Sequence, residues 1–471
     1  MKLRFRTLAA LAALASCLAG CRAVRDARRA QEEAAPAGEG AVARGKVDLS
    51  GLPLPDLVAF ALTNRPSMAS AAIAVEDARL ALKEIAADAP LASSTPWKAA
   101  HANASLGYSE SSKAAHFDDF ETKTRRGDAT GAISVDLLVW DFGRNDARAR
   151  AQAENVLAAE QSLVKEGYSV FNEVSAAYFA LLQNRALLEV AATNEVQYAD
   201  HLERAESMFE QGEAQKLDVL RAKLDLARAR ESLVSASNDV AVSGARLMAA
   251  LGVDASQGDF RSVLGDRPVW LTDVVRGFAD TDESAEDAFA FARTNAPAMK
   301  VARARLRAAS AQVDYAVADL KPSVSASLSL NWTDPLWYWR WGLSAAQSLF
   351  TGWRKTTAVD RAVLSLRSAE SAVESEEQQL SRSIEVAVAE RDNARESVRS
   401  AEESVRSALE NLETVTSRYE VGDVSRVDFT DAVSAYAEAQ GNRIKAFYRG
   451  QIAEAALFET TGRMPEYFPG E

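Results

Sequence analysis

SVSASLSLNW, Ser323–Trp332, alternates along its whole length. Val324, Ala326, Leu328, Leu330 and Trp332 fall on one side, and Ser323, Ser325, Ser327, Ser329 and Asn331 on the other. A period of two belongs to an extended strand, whose successive side chains point to opposite faces. The next stretch repeats the pattern. YWRWGLSAAQSLF, Tyr338–Phe350, sets Trp339, Trp341, Leu343 and Ala345 against Tyr338, Arg340, Gly342 and Ser344. Asp334-Pro335 marks a turn between the two, so the spacing predicts a hairpin with one oily and one polar face.

Earlier in the chain a second pair does the same less cleanly. Ala102, Ala104, Leu106 and Tyr108 alternate with polar or small residues, and Ile133, Val135, Leu137 and Val139 alternate with Ser134 and Asp136. Glu110–Thr130, charged and without an apolar period, reads as a long connection, and Leu91–Ala100 as an insertion before the first strand. Strands of ~9–11 residues cross a bilayer in a barrel, and Trp332, Trp337, Trp339 and Trp341 resemble the aromatic girdle at its surface. The edge of a soluble β-sandwich would alternate in the same way.

After each strand pair the period changes to that of a helix. Val398, Ala401, Val405, Ala408, Leu412, Val415 and Tyr419 are spaced alternately by 3 and 4, a heptad seam. Leu188, Ala191, Glu195, Tyr198, Leu202, Ala205 and Phe209 keep that spacing with one polar interruption. No Pro or Gly breaks Arg354–Glu420, which as one helix would reach ~100 Å. Each stretch ends in a turn of the same outline, MFEQGEAQKLDVLRA at Met208–Ala222 and RYEVGDVSRVDFTDA at Arg418–Ala432. The two share an aromatic (Phe209, Tyr419), a Gly (Gly212, Gly422) and an apolar-Asp pair (Leu217-Asp218, Val427-Asp428). Each match is 210 apart, as are Gly252 and Gly462, which close the helices that follow. Return seams are read at Leu217, Leu220, Leu224 and Ala227, and at Val427, Thr430 and Val433. Each unit opens with a helix pair broken at Asn-x-Pro (Asn64-Arg65-Pro66, Asn295-Ala296-Pro297), because the residue before Pro is pushed out of the helical region. A self-contained coiled coil would carry similar stripes.

At 471 residues and 48% hydrophobic the chain can bury a large core. A formal net charge of -13 leaves no basic excess to neutralise phosphates, which argues against nucleic acid. Lys2, Arg4 and Arg6 precede the apolar run Leu8–Leu18, the form of an export signal. It ends in Leu18-Ala19-Gly20-Cys21, which resembles the lipobox of bacterial lipoproteins and implies a covalent lipid on Cys21; a plain signal with a chance Cys is the alternative. The only other cysteine, Cys17, lies inside the signal. The mature chain would thus hold one thiol, at its own start, which excludes disulfides, Cys-based metal sites and Cys nucleophiles. No metal or other cofactor is expected. His101, His116 and His201 are scattered and no Gly-rich phosphate loop follows a strand, so nothing points to an enzyme. No later apolar run reaches the ~18 residues of a spanning helix, so a membrane would be entered as a barrel.

Four strands with one oily face cannot close a barrel, and an open edge in hydrocarbon leaves backbone groups unsatisfied. The pieces therefore demand an oligomer. Three copies would supply twelve strands, an even number within the bacterial range.

On these residues the chain resembles the TolC-like outer membrane factors, of the lipid-anchored kind found in tripartite efflux pumps. The likeness runs from Leu57 to Gly462. It is carried by the duplicated units, the aromatic-x-x-Gly tips, the lipobox, and the strand-to-helix junctions Trp140-Asp141-Phe142-Gly143-Arg144 and Phe350-Thr351-Gly352-Trp353-Arg354. It implies an α+β fold: an outer-membrane β-barrel, four strands per chain and twelve per homotrimer, continuous with a long α-helical coiled-coil periplasmic tunnel. Such a protein is a passive efflux duct. The resemblance implies that the tips at Gly212 and Gly422 dock on a periplasmic adaptor, which joins the duct to an inner-membrane transporter. It also implies a channel constriction at Tyr419, Asp428 and Asp431, where threefold symmetry would gather six carboxylates and favour cations.

The chain departs from that pattern at the latch. Val424 stands where the family carries an Arg two residues after the tip Gly, with Arg426 two further on, and Arg221 replaces the second Asp in the first unit. A pairing of Arg221 with Asp431 between neighbours is left open. A duct for type I protein secretion and a periplasmic coiled-coil scaffold are the alternatives; the scaffold leaves the alternating strands and clustered Trp unexplained. The organisation expected is a signal (1–20), a lipidated tether (21–55), a first repeat (56–252), an inter-repeat segment (253–285), a second repeat (286–463) and a tail (464–471).

Overall fold

The computed structural model describes residues 53–88, 100–117, 120–212, 215–253, 284–333, 336–420 and 423–463. The signal, Cys21, the tether up to residue 52, residues 91–99, residues 254–283, Gly422 and the tail lie outside the described residues. In chain order come α1 (Leu54–Asn64), α2 (Pro66–Ala87), β1 (Ala100–Phe117), β2 (Phe120–Trp140), α3 (Arg144–Glu210), α4 (Lys216–Ala250), α5 (Ala285–Asn295), α6 (Pro297–Ala318), β3 (Ser323–Thr333), β4 (Leu336–Ala346), α7 (Arg354–Glu420) and α8 (Arg426–Thr461). One six-element pattern is thus written twice. Pro55, expected in the tether, sits in the first turn of α1, where its missing N–H costs nothing.

The chain divides into two compact units. The first takes in the described parts of Arg79–Ala153 and Ala308–Leu366, and so the sheet. Its strand order is β1-β2-β3-β4, antiparallel throughout. The register aligns the faces across all four strands. Ala102, Val135, Leu328 and Trp341 form one row, and Ala104, Ile133, Leu330 and Trp339 another. Between them lies the polar row Asn103, Ser134, Ser329 and Arg340. Trp341 and Leu343 remain 70% and 67% exposed, so nothing among the described residues covers the oily face. Among the described residues β1 and β4 are open edges.

The reading of Glu110–Thr130 as a connection is corrected. β1 continues to Phe117 and β2 starts at Phe120, with the two paired residue by residue. β3 ends at Thr333 opposite Thr130, so beyond that point β1 and β2 form a two-stranded ribbon. A strand with polar residues on both faces shows no period of two, although its backbone ladder forms all the same.

The second unit is helical. α3 and α7 have 67 residues each, a contour of about 100 Å at 1.5 Å per residue. The Asn-x-Pro breaks fall as the sequence implies: Arg65 and Ala296 have ψ of 133° and 128°, outside the helical region, and α2 and α6 start at the prolines. Leu57, Val58 and Ala61 of α1 pack with Val170, Phe179 and Leu181 of α3, Leu247, Met248 and Leu251 at the end of α4, and Tyr448 of α8. A smaller cluster joins Ala288, Ala292, Met299, Ile384 and Leu457.

The α7 seam lies on the packed side, all seven of its residues half-buried. In α3, Glu195, the polar interruption, is held by Arg230 of α4 at 3.0 Å. The α4 seam is another correction. Leu217, Leu220 and Leu224 are 50%, 55% and 51% exposed, while Val219, Ala222, Leu226 and Ala229 are buried. Both faces of α4 carry small apolar residues three and four apart, and heptad spacing alone does not say which turns inward. On α8, Val427 is exposed and Val433 buried.

Candidate functional site: the helical tips

The two tips share a capping Asp at the start of the return helix and differ in how the outgoing helix ends. At the first, Gly212 takes a φ of 80° and its N–H donates to the Phe209 carbonyl at 3.0 Å, which ends α3. Gln215 caps α4 in a reciprocal box, its own N–H donating to Asp218 Oδ2 at 3.2 Å. At the second, the Asp423 N–H reaches back to the Arg418 carbonyl at 3.0 Å, and the Arg418 guanidinium holds the Asp423 carboxylate at 2.9 Å. Ser425 caps α8, accepting from the Asp428 N–H at 3.3 Å and donating to Asp428 Oδ2 at 2.7 Å. The repeated apolar-Asp pair of the sequence is thus a pair of capping acids, with negative charge at a helix N-terminus where the helix dipole favours it.

The residues expected at the constriction separate by role. Asp428 and Asp431 are both exposed, and Tyr419 is half-buried. Tyr419 stacks on Phe429 with ring centroids 4.9 Å apart. His201 of α3 lies against both, 5.7 Å from Phe429 and 6.3 Å from Tyr419, and is 4% exposed. Tilted ring contacts through His201 therefore tie the second tip to α3. In the sequence His201 is one of three scattered histidines with no role assigned, and its place one turn before Ala205 on the apolar stripe is its only trace. Arg221 is exposed and makes no ion pair with Asp431 within the chain. The Arg426 side chain and Gly422 lie outside what is described.

In the first unit the sheet passes into α3 and α7 through matched junctions. Phe142 and Gly143 have φ of 55° and 82°, and Gly352 and Trp353 have 60° and 64°. Both junctions spend one Gly and one aromatic in left-handed conformations at the same offset, in reversed order. Asp141, 3% exposed, takes the N–H of Gly143 at 3.2 Å and of Asn145 at 2.7 Å, starting α3. Asp319 at the end of α6 binds Arg144 at 3.2 Å and Lys355 at 3.3 Å, which ties the two junctions together.

A four-stranded sheet with an uncovered oily face, leading into helices that end in capped tips, is the fold of outer-membrane channels. CusC aligns at 18% identity over 87% of this chain and 91% of that one, with a TM-score of 0.73. A membrane protein from Pseudomonas aeruginosa aligns at 21% over 87% and 93%, with 0.75. The outer membrane protein VceC of Vibrio cholerae aligns at 19% over 87% and 96%, with 0.72. At these identities the likeness is one of fold. Among curated proteins none matches. The chain belongs to the outer membrane efflux protein family, which it matches over residues 57–253 and 291–463.

Proposed function

We propose that this protein is the outer-membrane duct of a tripartite efflux system. It works as a homotrimer whose twelve strands close a barrel and whose helices continue the lumen into the periplasm. The observation that carries this is the sheet: among the described residues it has four strands, both edges open, and one oily face in register across all of them and uncovered. Such an object is stable in a bilayer only when its edges pair. With the alternating order β1-β2-β3-β4, the β4 of one copy meets the β1 of the next antiparallel, so the ladder continues without a break. Polar rows such as Asn103, Ser134, Ser329 and Arg340 then line a wet lumen.

In this reading Cys21 carries the lipid that anchors the chain, and no other cofactor is needed. The tips at Gly212 and Gly422 meet the periplasmic adaptor, which links the duct to an inner-membrane transporter that chooses the substrate. Tyr419, Asp428 and Asp431 form the constriction, where threefold repetition gathers carboxylates that favour cations.

Single-channel conductance of the detergent-extracted protein in a planar bilayer tests this, comparing the parent with Asp428→Ala plus Asp431→Ala. A small, cation-preferring conductance that rises or loses selectivity in the variant is expected. No conductance from well-folded protein overturns the duct, and equal conductance in both removes the two acids from its gate.

A further inference from the structure

At the start of α7 the chain places large apolar side chains in the open. Leu349, Phe350 and Trp353 are 92%, 76% and 72% exposed. Phe350 and Trp353 meet edge to face, centroids 6.2 Å apart. Trp353 holds a φ of 64°, a conformation that bulky residues avoid. Among the described residues only it and Phe142 are non-glycines with positive φ, so strain is retained where a ring is held in solvent.

Beside this patch, α6 and α7 enclose an open cleft of about 540 Å³ lined by Gln312, Tyr315, Asp319, Arg354, Thr357 and Arg361. The Asp319 carboxylate is already engaged by Arg144 and Lys355. Arg354 and Arg361, two turns apart on one helix face, make no ion pair among the described residues. Two unopposed guanidinium groups thus share a cleft with the Thr357 hydroxyl, next to an exposed apolar patch.

We infer that this cleft takes the phosphate of an anionic phospholipid whose acyl chains lie against Leu349, Phe350 and Trp353. A guanidinium offers paired donors that match phosphate oxygens, and basic pockets at a membrane surface hold anionic headgroups. Aromatic rings settle at the same headgroup level. Free phosphate would satisfy the arginines but make no use of the apolar patch, so charge and patch together select the lipid. The inference rests on the sheet being membrane-inserted.

The test uses full-length protein reconstituted in vesicles of phosphatidylcholine and phosphatidylglycerol in equal amounts. Flotation reads insertion, and native mass spectrometry after re-extraction reads the lipid retained. The parent is expected to float and to retain phosphatidylglycerol roughly tenfold over phosphatidylcholine, as two basic contacts allow. Arg354→Gln plus Arg361→Gln floats equally and loses the preference, while the double Lys variant keeps part of it. Flotation without preference in the parent, or preference unchanged in the Gln variant, overturns the site alone. Absence of flotation overturns membrane insertion and the site together. Binding of inorganic phosphate by the parent, lost in the Gln variant and without any lipid preference, overturns the lipid and assigns the cleft to a free anion.

Discussion

Gly462 lies against Pro297. A Cβ added to this glycine would stand 3.0 Å from the proline Cδ and 3.1 Å from the Ala296 Cα. The first repeat builds the same contact, where a Cβ on Gly252 would stand 3.2 Å from Arg65 Cγ and 3.3 Å from its Cα. Asn64 Nδ2 donates to the Gly252 carbonyl at 3.2 Å, and Tyr168 Oη donates to that of Gly462 at 2.8 Å. The glycine that ends each return helix and the Asn-x-Pro break that opens each repeat are thus two halves of one packing device, used twice.

Gly462→Ala combines a left-handed backbone, φ 71°, with tight contacts to the Pro297 ring and the Ala296 main chain. The expected loss is about 2–3 kcal/mol. Gly212→Ala, at φ 80° but in open space, should lose only about 1 kcal/mol. Thermal unfolding followed by circular dichroism compares the two, and equal losses would refute the contact.

Asp428 and Asp431 should part company in stability. Asp428→Ala removes the partner of the Ser425 cap and should cost about 0.5–1 kcal/mol. Asp431→Ala, at an exposed position, should stay within about 0.5 kcal/mol of the parent. Urea midpoints of the single variants separate a structural part from the gating effect read in conductance.

The sheet should tolerate charge on one face only. Leu328→Arg places a guanidinium in the row with Val135 and Trp341 and should cost about 2–4 kcal/mol of membrane stability. Ser327→Arg, one residue away on the polar face, should insert normally. The vesicle-bound fraction of each variant reads the difference, and equal loss in both would contradict a one-sided oily face.

Alkaline unfolding should report on Tyr448. Burial pushes its phenol well above the ordinary value of 10.0, with Tyr178 and Glu189 nearby adding to the shift, and burial raises Tyr168 and Tyr178 as well. Above pH 10 the unfolded chain releases these protons while the folded one keeps them, so stability present below pH 10 falls as pH rises further. The Tyr448 hydroxyl has no hydrogen-bond partner among the described residues, so Tyr448→Phe should cost less than about 1 kcal/mol at neutral pH. It should also flatten the alkaline limb of a pH-dependent urea titration.

Much of the architecture is legible in the sequence. Strict alternation at Ser323–Trp332 fixed a strand with two unlike faces, the unbroken stretch Arg354–Glu420 fixed a single long helix, and Pro66 and Pro297 fixed two helix breaks. These are local statements: a period, an uninterrupted run and a steric exclusion each act within a few residues, so composition along the chain is enough to read them. Three things needed the tertiary structure. The β1–β2 ribbon is held by backbone pairing that polar side chains do not advertise. The inward face of α4 is chosen by the helix packed against it, between two stripes of similar spacing. His201 gains its place only when α3 brings it under Tyr419 and Phe429, residues more than two hundred positions later. A sequence states what each element can bury; which surface it does bury depends on a partner distant along the chain.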